Sequence, residues 1–171
     1  ACYRDRFRKI LPAEMEMPDG PFGLEERSTL RHAMLLSSSN LRLDDERVMT
    51  AEVADFAAAG GGAIVETGSP GIRTGDDVIA FARMSQATGV HIVACTGLYA
   101  EDSWPERFRG LSEAQYADYL GGEIASGIGG SGILPGQIKV AYEGRSADAD
   151  AYLRAAARVS RESGLSLQVH V

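Results

Sequence analysis

From about residue 30 onward the chain alternates short apolar runs with longer stretches of helical periodicity, and this alternation restricts its fold more than any other feature. The runs are LRHAMLLS (30–37), AIVETG (63–68), HIVACTG (91–97), GQIKVAY (136–142) and SLQVHV (166–171). Between them, roughly Asp45 to Ala59 repeats Met49, Val53, Phe56 and Ala57 at helical spacing, and Asp76 to Thr88 sets Val78, Ile79, Ala82 and Met84 mostly on one side before Gly89. Ser112 to Gly127 opens with a capping box, Ser112 with Gln115, and aligns Tyr116, Tyr119, Leu120 and Ile124. Asp148 to Ser163 sets Tyr152, Leu153, Ala156 and Val159 on one face and stops at Gly164. Near-continuous apolar strands alternating with helices predict a parallel sheet covered by helices.

Two architectures accept such units: an open doubly wound sheet and part of a (β/α)8 barrel. The open sheet usually places a glycine-rich turn straight after its first strand, and SSSNLRLDD (37–45) is not one. A TIM barrel is therefore expected, with about five of its βα units present. A full barrel needs roughly 250 residues, whereas this chain has 171 and ends on the strand LQVHV. An uncovered parallel edge is unstable alone. The missing strands are expected from the rest of a longer polypeptide or from a second chain, and a homo-oligomer is the expected assembly. Residues 1–28, with Pro12, Pro18, Gly20, Pro21 and Gly23 among charges, read as an extended lead-in, leaving 29–171 as the N-terminal part of the barrel.

A net charge of -7 argues against nucleic acid or an anionic membrane as partner. No run of about 18 apolar residues is present, and the opening ACYRDRFRKILPAEMEM lacks the apolar core of a secretion signal, so a cytoplasmic location is expected. Cys2 and Cys95 give no disulfide framework, and Cys95, inside an apolar run, reads as a small core residue.

In a barrel the chemistry sits at the carboxyl ends of the strands. The polar residues near those ends are His32, Glu66, Lys139 and His170. Lys139 stands out because it interrupts Ile138, Val140 and Ala141, where an ammonium would need either an ion-pair partner or a shifted protonation state. Strand alternation points His32 and Met34 to the same side. Two histidines at that spacing would chelate one metal ion, whereas a thioether is a weak ligand for zinc. No serine or cysteine nucleophile with a partner base is apparent.

The segments STLRHAMLL, ADFAAAGGGAIVETGSPGIRTGDD, TGVHIVACTGLY, GEIASGIGGSGILPGQIKVA and LQVHV resemble the first five βα units of the phosphotriesterase-like branch of the amidohydrolase superfamily, over about residues 23–171. The resemblance implies a (β/α)8 barrel and a metal-dependent hydrolase of esters, lactones or phosphotriesters, in which a metal-bridging hydroxide attacks the small-molecule substrate. It implies one or two divalent ions, zinc or else manganese or cobalt, bridged by a CO2-derived carbamate on Lys139. A neutral amine in a low-dielectric site can add carbon dioxide to give such a carbamate. By the same resemblance His32 and His170 are metal ligands and Tyr99 shapes the mouth of the site. Trp104, in the same loop, and Glu66, at a strand end, are candidates for substrate contact or for structural support. His91, at the start of a strand, is expected at the opposite end of the barrel.

Met34 departs from the family pattern, which has histidine there, and Ala33 stands where glutamate is usual. The departure leaves three readings: a weakened or single-metal site with Met34 as a poor ligand, a site of altered metal preference, or a non-catalytic half-barrel subunit that serves association.

Overall fold

The computed structural model describes residues 44–144 and 146–171, so the first apolar run, with His32 and Met34, and the lead-in lie outside the described residues. Asp45 starts the first helix, its carboxylate accepting from the amides of Arg47 and Val48 at 3.0 and 3.1 Å. In chain order the elements are α1 (Glu46–Ala58), β1 (Ala63–Glu66), α2 (Gly75–Thr88), β2 (His91–Leu98), α3 (Glu113–Ser126), β3 (Gln137–Ala141), α4 (Ala147–Ser163) and β4 (Ser166–His170). Each falls on one of the runs or periodic stretches read above.

The helix ends follow local chemistry. Ser112 and Gln115 form the expected capping box of α3, and Thr74 with Asp77 forms a second one on α2. Gly89 and Gly164 end α2 and α4 in the left-handed conformation that glycine adopts without penalty. Ile79 departs from expectation: it is exposed, and the buried contacts of α2 fall to Val78 and Met84.

The strands pair in the order β1-β2-β3-β4, all parallel. Sequential order in a parallel, curling sheet is that of a half-barrel; a doubly wound sheet would reverse direction at a switch point. Ile138, Val140 and Leu98 pack with Tyr116 and Leu120 of α3 and Tyr152, Ala156 and Val159 of α4 in the main core. Alternation therefore turns Cys95, Gln137, Lys139, Gln168 and His170 toward the opposite, inner face. Among the described residues no helix is long and apolar enough to cross a membrane.

Candidate active site

Lys139 lies in the middle of β3, flanked in register by Gly97 of β2 and Gln168 of β4. It is 5% exposed, and no ion pair joins its ammonium to a carboxylate among the described residues. An ammonium buried without a partner is costly. His170 pairs in register with Ala141 and so stands two residues nearer the carboxyl end on the neighbouring strand, on the same face as Lys139. It is exposed on that face. The ring of Tyr99, just past β2, lies 5.5 Å from the His170 ring, tilted by 48°. Tyr99 and His170 thus meet at the carboxyl ends of β2 and β4, and Lys139 lies on β3 between those strands, two residues short of the His170 level.

On the amino-terminal side of Lys139 the inner face carries a short polar ladder. The Cys95 thiol donates to Gln137 Oε1 at 3.4 Å, and Gln137 Nε2 donates to Ser166 Oγ at 3.1 Å. Burial pushes the Cys95 thiol up to about 11; the charge of Glu66 adds to this, and Arg73 and Lys139 oppose it. The thiol is protonated at neutral pH and is not a nucleophile.

Trp104 belongs to the helix-side core, and Glu66, in register with Ala94, ends β1. Glu66 Oε2 sits 3.1 Å from Arg73 Nε, with the two side chains 23% and 4% exposed. Neither atom is aligned for a hydrogen bond, so charge alone holds this contact. The other oxygen, Oε1, accepts from the Gly68 amide. Trp104, 4% exposed, donates from Nε1 to the Tyr99 carbonyl at 2.8 Å and packs edge-on against Tyr116 and Tyr152. In this geometry it anchors the loop carrying Tyr99 from beneath. His91 opens β2 at the far end from these groups.

Sequence reasoning missed Arg73. Its Nη2 donates to the carbonyls of Gly68, at 2.9 Å, and Cys95, at 2.6 Å, binding the loop after β1 to β2. Its only signal was a lone arginine in the glycine-rich loop GSPGIR. Burial raises the Glu66 pKa, and the Arg73 charge and the Gly68 N–H oppose the rise. A carboxylate with a raised folded-state pKa contributes less stability as pH climbs above its unfolded value, because the folded state then holds protons the unfolded state has released. Arg73→Met should therefore cost about 2 kcal/mol at neutral pH, below the roughly 3 to 5 kcal/mol of a fully buried broken pair because Glu66 is partly solvated. Its deficit against wild type should widen from pH 5 to pH 8, as thermal melts would show. A deficit that shrinks with rising pH would contradict the assignment.

Among the described residues no cluster of three His, Cys, Asp or Glu side chains could hold a metal. Among the described residues the inner face offers the Lys139 amine and, on the neighbouring strand, the His170 imidazole, whose chemistry suits part of a carbamate and nitrogen ligand set. The described residues fit part of a metal site.

Residues 33–171 match the model of the phosphotriesterase family. The chain belongs to the phosphotriesterase family. Among curated relatives of this family member, the N-acetyltaurine hydrolase of Bos taurus is 37% identical over 100 residues, 58% of this chain and 28% of that protein. A resiniferatoxin-binding protein from Rhodobacter sphaeroides superposes with a TM-score of 0.81 at 34% identity, over 90% of this chain and 43% of its own. A mutant phosphotriesterase-like lactonase from Deinococcus radiodurans gives a TM-score of 0.63 at 29% identity, over 74% and 42%. This phosphotriesterase-family chain spans less than half the length of these proteins.

Proposed function

We propose that the chain supplies the first five βα units of a metal-dependent hydrolase. The observation that carries this reading is Lys139, a buried ammonium on the inner face with no carboxylate partner among the described residues, on the strand between those that lead to Tyr99 and His170. Carbamylated, Lys139 would offer two oxygens to a divalent pair, zinc or else manganese or cobalt; His170 would add one nitrogen and His32 another. When bound, the metal lowers the pKa of water and polarises an ester, lactone, phosphotriester or amide oxygen. Tyr99, held through its carbonyl by Trp104 and packed on His170, would border the substrate at the mouth. Arg73 and Glu66 would set the position of the neighbouring loop. The names of the similar proteins support hydrolysis and span two bond types, an N-acyl amide and a lactone.

Met34 favours a second reading, a non-catalytic chain, because it removes an imidazole from the expected ligand set. Metal analysis of the complete polypeptide, with hydrolysis assays on lactone, carboxyl ester, phosphotriester and N-acyl substrates, separates the two. The enzyme reading expects one or two bound divalent ions per barrel and turnover of at least one substrate class; no metal and no turnover would establish the second. Met34→His should tighten zinc binding at least about tenfold and raise turnover with it. Unchanged affinity and rate would mean that Met34 is packing only.

A further inference from the structure

Tyr152 lies on α4, on the face that packs against the sheet, and is fully buried. Its hydroxyl does something a packing aromatic does not. It accepts a hydrogen bond from the Leu98 amide of β2 at 2.6 Å and donates to the Lys139 carbonyl of β3 at 3.1 Å. A direct rung between parallel β2 and β3 would join those two groups, and the hydroxyl stands between them. The chain makes room for it at Gly97, whose φ is 125°. A Cβ there would come within 2.0 Å of the Lys139 carbonyl and 2.8 Å of the hydroxyl. Tyr152 thus fixes the backbone of Lys139 and, through Leu98, the residue preceding Tyr99. The surrounding aromatics hold its ring, with Trp104 at 5.4 Å and Tyr116 at 5.3 Å, both edge-on.

We infer that Tyr152 is a positioning residue for the metal-binding lysine, spacing β2 and β3 at their carboxyl ends so that Lys139 and Tyr99 meet the same ligand set. This inference rests on the proposed function, since it assigns Tyr152 a role toward that site. Removal of the hydroxyl leaves the Leu98 amide and the Lys139 carbonyl to close on each other or go unpaired, and either outcome shifts the Lys139 backbone. Groups that orient a metal ligand from behind are typically worth about 10 to 100-fold in affinity.

Tyr116 provides a matched control within the same core. It is equally buried, touches the same rings, and donates its hydroxyl to the Phe108 carbonyl at 2.9 Å, away from β3. Zinc titrations of the complete polypeptide should show Tyr152→Phe binding at least about tenfold more weakly than wild type and Tyr116→Phe within about threefold, with both variants melting cooperatively. Equal losses in the two variants, or none in Tyr152→Phe, would overturn the inference while leaving the proposed function standing. A wild type that binds no zinc would overturn both.

A second measurement needs no variant. Coupling between the hydroxyl and the site is reciprocal, so stripping zinc from wild type should speed hydrogen exchange at the Leu98 amide. The Gly127 amide, bonded to the Glu123 carbonyl at the end of α3, should not change. Leu98 exchange that is indifferent to zinc would overturn the positioning role.

Discussion

Lys139→Met should abolish hydrolysis and leave the fold intact. Methionine has nearly the length of lysine, is apolar, and replaces an ammonium that is 5% exposed with no carboxylate partner among the described residues. Removing an unpaired buried charge is neutral or stabilising for folding, so the melting temperature of the metal-free protein should hold or rise. Activity should respond in the opposite direction. Under the proposed function the metals would contribute several kcal/mol of transition-state stabilisation, and each 1.36 kcal/mol is tenfold in rate, so a fall of about a thousandfold or more in kcat/KM is expected. Lys139→Arg sharpens the test, because it keeps the cation while the guanidinium stays protonated and forms no carbamate. It should be as inactive as the methionine variant. Activity within tenfold of wild type in either variant would show that Lys139 serves packing alone.

Gly97→Ala should cost far more stability than a methyl group added at a glycine with open space around it. The methyl would meet the Lys139 carbonyl 2.0 Å away, and the backbone sits at a φ of 125° that side chains rarely adopt. Strain of that kind costs about 1 to 3 kcal/mol before the clash is counted, so a total of about 3 kcal/mol or more is expected from denaturant unfolding. Since β3 is the element that must move, zinc affinity should fall with stability. Gly89→Ala serves as the comparison: its φ is 73° but nothing lies within 4 Å of the added Cβ, so about 1 kcal/mol is expected there, with no change in zinc affinity. Equal costs at the two positions would mean that the β2–β3 approach is looser than its geometry implies.

The sheet could be read from the sequence because each described strand is an apolar run, and β2 and β4 announce themselves a second time by the glycine that ends the preceding helix. Gly89 before His91 and Gly164 before Ser166 mark that boundary. Lys139 could be read because a charge inside an apolar run conflicts with burial, and such conflicts tend to sit at sites. Arg73 could not: its partners are the Glu66 carboxylate and the carbonyl of Cys95, 22 residues away, and no local period predicts a loop arginine bonding a distant strand. Tyr152 was hidden for the opposite reason. Its position fits the apolar face of α4 so well that its ring accounts for the pattern, and its hydroxyl leaves no mark on it. Ile79 shows the limit of periodicity, since its neighbour Val78 takes the buried position and a stripe one residue wide does not hold both.

The proposed modification of Lys139 to carry metal can be measured on the atom concerned. The complete polypeptide, reconstituted with zinc in 13C-labelled bicarbonate, should give a single protein-bound carbamate carbon resonance in wild type that is missing from Lys139→Met. A wild-type spectrum without that resonance, from protein that has bound its zinc, would contradict the account.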